Sequence, residues 1–422
     1  MHMKRLAAII LLISTTAFAD DGAAVTEPEE AKMGHQQWPS LNELWNETET
    51  GNGLQHAIAG GTPSLDILLG YEFVDDKNNA GDPAHAVLTR TRLNYQTLDY
   101  KGFAAFVQAQ YVGPINDHFA PESAGYDTVN DPENFRFQQA YLDYRGYDSH
   151  VRAGSQEILL DNQRFIGNVG WRFNAQSFNA ASIANHSISN LSLYYGYTDS
   201  INTISGTRNG NRQYHLINGE YKLGENNKAS GFAYLQRNEN NPAPDKLDTY
   251  GLRAWGKNDQ FTHDAMVALQ RRAYYGYIKA NMDIDQFDLG IGAEYLSGGD
   301  DARDQFETLN GTAHKFNGWA DVFAGATAVG IPSGLVDGWL EASVMATEQL
   351  KIQGVYHLFN SAFNTPATAF SGIYGHEIDL LAKYPICKNF DVLAKFAYYM
   401  QGDNESPTED KTVFWLRGNL SF

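Results

Sequence analysis

The sequence predicts an all-β protein: a transmembrane antiparallel β-barrel of eighteen strands, with long extracellular loops and short periplasmic turns. Three observations carry this. From Ser64 to the C-terminus, polarity alternates with a period of two over segments of about ten residues, the signature of a lipid-spanning strand. The connections between segments alternate between long and short. The second face of most segments is Arg, Asn, Gln, Asp and Glu, which can point inward only into water. A two-layer sandwich would need an apolar core there. Spanning strands must also close, because hydrocarbon cannot satisfy an open edge.

Taken in order, residues 1–19 read as a secretory signal peptide. Lys4 and Arg5 begin it, Leu6 to Ile13 form a short apolar core, and Ala17-Phe18-Ala19 is a cleavage site. Cleavage removes two bases and no acid, making the mature chain still more negative than −19. Residues 20–63 read as an acidic periplasmic leader, solvated ahead of the first strand. The barrel is expected over 64–422. Its first strand (65–74) sets Leu65, Ile67, Leu69, Tyr71 and Phe73 against Asp66, Leu68, Gly70, Glu72 and Val74. The second (86–98) sets Val87, Thr89, Thr91, Leu93 and Tyr95 against Arg90, Arg92, Asn94 and Gln96. Sixteen further segments follow, the last over 411–422. Asp99-Tyr100, Gly146-Tyr147-Asp148, Asn258-Asp259 and Thr347-Glu348 are tight turns, whereas 113–133, 158–175 and 298–334 are long loops. Two places resist the pattern. The connection 272–274 is short where a long loop is due. In the fourth segment, Phe135 and Phe137 imply the opposite face from Ala140, Leu142 and Tyr144, which a bulge would reconcile. The topology places 113–133 and 298–334 outside the cell and Pro385 to Asn389, with Cys387, in the periplasm.

Composition excludes several classes. Of 422 residues 43% are hydrophobic, and 24 Tyr with 23 Phe need burial or an interface, which argues against disorder. Past the N-terminus no apolar run approaches the roughly 18 residues of a spanning helix. The acidic balance speaks against a nucleic-acid partner. The single Cys387 excludes an internal disulfide framework and multi-Cys metal sites. The His residues lack zinc spacing and there is no G-x-S-x-G, so neither a cofactor nor an enzyme is expected. Gly298-Gly299-Asp300-Asp301 with Asp304 could offer Ca²⁺ hard oxygens, or could be a solvated acidic loop.

The inward face carries Arg90, Arg92, Arg152, Arg253, Lys351, Lys395 and Arg417 among eleven bases, against twelve acids. Acids concentrate on strands 11–14 and bases on strands 17, 18, 1 and 2. That arrangement predicts a transverse field across an aqueous lumen, unless the charges simply pair with one another.

Several stretches resemble the alginate export family of bacterial outer-membrane β-barrels. They are Leu88-Thr89-Arg90-Thr91-Arg92-Leu93-Asn94-Tyr95; the segment from Leu160-Asp161-Asn162-Gln163-Arg164 to Gly170-Trp171-Arg172; Glu294-Tyr295-Leu296-Ser297-Gly298; and Gly311-Thr312-Ala313-His314-Lys315-Phe316-Asn317-Gly318-Trp319. The terminal aromatic strand ending in Phe422 resembles the one that outer-membrane assembly machinery recognises. The resemblance implies a channel in the outer membrane of a Gram-negative-type bacterium, in contact with its lipid. It would pass anionic oligosaccharides such as alginate or oligouronates by diffusion, with Arg90, Arg92, Arg152, Arg164 and Arg172 at positions the family fills with Arg. Gly70, Ser155, Phe173 and Asn179 depart from that pattern. A general porin of mixed selectivity is the alternative, and an outer-membrane hydrolase or adhesin a third. Segment 158–175 is expected to fold into the mouth, either as a constriction with its own arginines or as a structural loop in which Arg164 pairs Asp161. Direction of transport and oligomeric state are not set by the sequence.

Overall fold

The computed structural model describes residues 53–210, 212–238, 246–324, 331–362 and 370–422. The predicted signal peptide and all but the end of the leader lie outside these residues. A short helix, α1 (Leu54–Ala59), precedes the barrel and buries Ala57 beside the end of the second strand, where Leu98 N donates to Ala57 O at 3.0 Å.

The strands are β1 (Thr62–Asp76), β2 (Ala84–Gln96), β3 (Phe103–Pro114), β4 (Asn134–Gly146), β5 (Ser149–Gln156), β6 (Ser177–Ile188), β7 (Leu191–Asn202), β8 (Arg212–Lys222) and β9 (Asn227–Asn238). They continue with β10 (Leu247–Asn258), β11 (Phe261–Gln270), β12 (Ala273–Ile284), β13 (Phe287–Leu296), β14 (Leu335–Met345), β15 (Lys351–Asn360), β16 (Ile373–Cys387), β17 (Phe390–Gln401) and β18 (Lys411–Ser421). Each pairs antiparallel with its sequence neighbours, and a two-residue ladder at Arg208–Asn209 belongs to the loop after β7. β1 pairs with both β2 and β18, from Asp66↔Ser421 to Asp76↔Lys411, which closes the barrel. This is the predicted architecture.

Alternation places the side chains as expected. Leu69, Leu93, Leu142, Leu193, Leu252 and Leu340 are exposed on the outer wall, whereas Glu72, Arg90, Arg92, Asn218, Glu294 and Lys395 are buried on the inner face. No described helix is long and apolar enough to cross a membrane, so the crossing is made by strands. Near the long-loop end, three outward Tyr–His pairs repeat one cross-strand geometry: Tyr71 with His85, Tyr195 with His215 and Tyr356 with His376, each joined from Tyr OH to Nδ1 at 2.8, 2.9 and 2.6 Å. Amphipathic rings of this kind mark the level where hydrocarbon gives way to headgroups.

Both irregularities have physical reasons. On β4 the pairing steps from Gln108↔Gln139 to Ala109↔Phe137, leaving Gln138 extra. That one-residue bulge switches the alternation, so Phe135 and Phe137 face out and Leu142 still does too. The two-residue connection between β11 and β12 is covered by the loop after β13: Arg272 N donates to Arg303 O at 3.1 Å, and its guanidinium meets Asp301 at 2.9 Å and Asp304 at 2.7 Å. Of the two readings of this loop, these contacts favour the solvated acidic one. Asp301 and Asp304 face Arg272 and Arg303, the Arg303 side chain holds the Asp301 carboxyl well below its usual range, and no cluster of three or more His, Cys, Asp or Glu side chains placed to hold a metal ion occurs among the described residues.

The loop over 297–334 also departs from its predicted external position. Past Arg303 it turns inward and buries Phe306, Phe316, Trp319 and Phe323 against the inner wall, with Phe316 beside Tyr277 and Phe323 against Phe359 and Tyr399. So many large aromatics cannot remain in water. Trp319 N donates to Asp379 Oδ2 at 3.2 Å and Ala320 N to Glu377 Oε1 at 2.7 Å, tying the loop to β16. Gly318 (φ 77°) is required there, because a Cβ would lie 2.5 Å from the Glu377 carboxylate. Asn310 is thus inside the barrel, while Ala302 stays exposed at the loop's outer turn. In intact cells, an impermeant thiol reagent should leave the exposed Cys387 of the short-turn end unlabelled and should label an Ala302→Cys variant. Labelling of Cys387 from outside would invert the barrel.

Candidate functional site

The site forms where two inward loops meet the β17–β18–β1–β2 seam. The register sets Arg417 opposite Gly70 and Arg90 opposite Leu68, so the two arginines flank β1 at neighbouring heights. Arg90 Nη2 donates to Asp66 at 2.9 Å, and Arg92, one inward position along, donates from Nε to Gln110 Oε1 at 2.7 Å.

Segment 158–175 reaches this wall from β5. Arg172 meets Glu72 of β1 at 3.0 Å and Asp321 of the other loop at 3.2 Å, with Asp131 at 3.8 Å. Trp171 lies under the Arg417 guanidinium, 3.8 Å from centroid to Cζ, and its carbonyl accepts from Nη1. Phe173 flanks the same guanidinium at 4.9 Å. Gly70 makes this possible: a Cβ there would stand 2.6 Å from Phe173 Cζ. Two departures from the family pattern, Gly70 and Phe173, are therefore one contact.

Lys395 of β17 is the second anchor. Its ammonium lies 3.6 Å from the Trp319 ring centre, 4.2 Å from Trp171 and 5.8 Å from Trp415, a strongly favourable cation–π setting when desolvated. His314 Nε2 accepts from Lys395 Nζ at 2.7 Å, which leaves Nδ1–H to donate to Asp321 at 3.0 Å. A chain of polar contacts, charged at both ends, therefore runs Glu72–Arg172–Asp321–His314–Lys395. Burial works against an ionised Asp321, but His314 and Arg172 beside it hold its carboxyl down at about 2. Burial instead pushes Asp131 up to about 6, although Arg172 opposes the shift.

The remaining predicted residues lie elsewhere. Arg164 is fully buried and forks onto Glu294 of β13 at 2.7 and 3.0 Å, with Thr312 O at 3.2 Å. It does not pair with Asp161, which crosses instead to β8 and β9. Arg152 forks onto Asp143 at 2.7 and 3.0 Å over the Tyr141 ring, near the short-turn end. Arg253 forks onto Asp264 at 2.8 and 2.9 Å. Lys351 lies at the start of β15, opposite Lys383, away from the cluster. Arg90, Arg92, Arg172, Lys395 and Arg417 are thus brought together; Arg152, Arg164, Arg253 and Lys351 are not. The predicted transverse field is largely cancelled along its acidic arc, where Asp264 meets Arg253, Glu341 meets Lys279 at 2.8 Å, and Asp337 meets His357 at 2.9 Å. Sequence reasoning expected Trp171 to pack but missed the aromatic partners Trp319 and Trp415 and the loop residues His314 and Asp321. For the loop residues the signal was the density of aromatics in segments that alternation alone treats as solvated; Trp415 lies on β18, at an inward position of the alternation.

A closed barrel with an apolar outer wall and a charged interior crossed by two inward loops defines an outer-membrane channel of the porin class. The chain belongs to the alginate export family, which it matches over residues 73–412. Its fold is similar to that of Acinetobacter baumannii OccAB2 (TM-score 0.68, 12% identity, covering 87% of this chain and 98% of that one). It is also similar to Pseudomonas aeruginosa OccK11 (OpdR), at TM-score 0.65 and 13% identity over 89% and 98% of the two chains, and to Pseudomonas aeruginosa OpdQ, at 0.66 and 13% over 87% and 99%. No curated protein matches the chain.

Proposed function

We propose that this channel passes anionic oligosaccharides, of the alginate or oligouronate class, by diffusion. The observation that carries the reading is the convergence of Arg90, Arg92, Arg172, Lys395 and Arg417 on one side of the lumen, backed by three tryptophans. Guanidinium forks suit carboxylates, and aromatic faces suit the C–H faces of sugar rings. Several weak cationic stations at successive heights let a polyanion move on without full rehydration. In this conformation the loops cover the cations, so passage requires the loops to yield.

A general porin of mixed selectivity is the second reading, favoured by the local pairing of Arg152, Arg253 and Lys279 with wall carboxylates. A salt-gradient measurement separates the two. The reconstituted pore should prefer anions, and replacing Arg90, Arg92 and Arg417 together by Ser should move the zero-current potential toward cation preference. Oligouronates should block the pore more than neutral oligosaccharides of equal length, and the excess should shrink in high salt as charges are screened. Equal block by both sugars leaves only the general porin.

A further inference from the structure

The start of segment 158–175 makes a contact of a different kind. Asp161 reaches β8 and β9, eight strands round the closed wall from the β18–β1 seam and so nearly across the lumen. Its backbone takes a left-handed conformation (φ 53°) to do so, one that aspartate tolerates better than most residues. Its Oδ1 accepts from Ser230 Oγ at 2.5 Å. Its Oδ2 accepts from Tyr234 OH at 2.5 Å and Asn218 Nδ2 at 3.0 Å. Tyr234 is held in place by a second bond from Asn218 at 3.1 Å and by stacking on Phe232 at 4.7 Å. All three donors are uncharged wall residues more than nine-tenths buried, while Asp161 itself remains half-buried. The donors therefore serve both oxygens of one carboxylate, and that carboxylate is approachable from the lumen.

Directly opposite Ser230 on the neighbouring strand stands Arg253, whose guanidinium favours an anion here although its fork is held by Asp264. Nothing in this arrangement requires the carboxylate to belong to the protein. We propose that Asn218, Ser230 and Tyr234 form a carboxylate subsite of the lumen wall, which Asp161 occupies as a built-in surrogate for the carboxylate of an acidic sugar. An incoming uronate exchanges with Asp161 and frees the start of the segment from this wall. This deepens the acidic-sugar reading and rests on it for the identity of the solute. Hydrogen bonds to a charged acceptor are strong, yet the three donors that contact the carboxylate carry no charge, so its occupant is replaceable in kind.

The test is binding of sodium glucuronate to the full-length folded barrel by titration calorimetry at constant ionic strength, with glucose as the neutral control. Heat-modifiable electrophoretic mobility verifies that each variant is folded. Asp161→Ala vacates the subsite and should tighten glucuronate binding at least tenfold relative to the native chain, with no gain for glucose. Adding Ser230→Ala and Tyr234→Phe should abolish the gain. A folded Asp161→Ala barrel with native glucuronate affinity, or a gain that survives the added wall substitutions, overturns the subsite. The outcome is separable from the channel reading, whose own test lies on the opposite wall. Preferential block by oligouronates without an Asp161 effect sinks the subsite alone. An Asp161 effect without preferential block sinks the acidic-sugar channel and leaves the subsite in place.

Discussion

Replacing residues 161–172 by a short Gly-Ser stretch is expected to raise single-channel conductance severalfold, roughly threefold or more, because an eighteen-strand barrel without inward loops encloses an aqueous channel. The segment is one of the two loops that fill the lumen. From β5 it touches β1 and β18 through Arg172, Trp171 and Phe173, β13 through Arg164, and β8 and β9 through Asp161. It therefore crosses the lumen in more than one direction, and Phe165 packs against Phe232, Tyr275 and Phe306 in between. The wall itself owes nothing to these contacts, since every strand is paired on both sides, so the shortened chain should still close. The loop over 297–334 loses Arg172 from Asp321, Arg164 from Thr312 and Asn317, and its backbone bonds to Gln163, Phe165 and Gly167, but keeps its backbone ties to Glu377 and Asp379 and the Lys395 cage from Trp319. Planar-bilayer recordings on reconstituted protein give the answer. A conductance equal to that of the native pore would mean that the segment flattens against the wall in the membrane and that Arg164 and Arg172 take no part in passage.

The strands were legible in the sequence because a barrel wall has one rule. Each residue faces lipid or water, and a period of two records which. That rule located Arg90, Arg92, Lys395 and Arg417 on the inner face without error, and even the β4 bulge announced itself as a clash between Phe137 and Leu142. The site was legible only in part, because its second half is built from loops, whose path follows no period. Arg164 illustrates the loss. Its nearest acid in sequence is Asp161, yet its partner is Glu294, 130 residues away. Asp161 finds its own partners on a wall that no local signal names. Loop aromatics were the readable clue, since Phe165, Trp171, Phe316 and Trp319 needed burial and the lumen is where it was available. Pairing was equally hidden. The inward arginines of the wall read alike in sequence, but Arg152 stands opposite Asp143 and Arg253 reaches diagonally to Asp264 of the next strand, whereas Arg417 stands opposite Gly70, meets Glu72 only at 3.7 Å and takes its closer contacts from the loop.

The Arg164–Glu294 pair should show the largest effect of any single side chain on how the two loops stay closed. Both side chains are wholly out of solvent. The guanidinium also binds Thr312 O and Asn317, and the Glu294 carboxylate accepts from Tyr275 OH at 2.6 Å and from Asn317. Around the pair the two loops exchange backbone bonds: Asn310 N to Phe165 O at 3.1 Å, Gly167 N to Asn310 O at 3.2 Å and Thr312 N to Gln163 O at 2.9 Å. Arg164→Met keeps the apolar stem but strands a buried carboxylate, a change that typically costs about 3–5 kcal/mol. At a factor of ten per 1.4 kcal/mol, local opening should become roughly a hundredfold or more frequent. Hydrogen exchange at the Asn310, Gly167 and Thr312 amides should accelerate by that order, while amides in β13 and β14 keep their protection because the wall does not open with the loops. The double variant Arg164→Met with Glu294→Gln should recover most of the loss. The side-chain amide oxygen it introduces still accepts from Tyr275 and no charge is left behind, and neutral replacement of a buried pair is often close to harmless. If the single variant exchanges like the native chain, the loops are held by their aromatic packing on Phe165 and Phe316, and the ion pair is dispensable. If the double variant is no better than the single, the stranded charge is not the cause, and what was lost is the guanidinium's hold on Thr312 and Asn317.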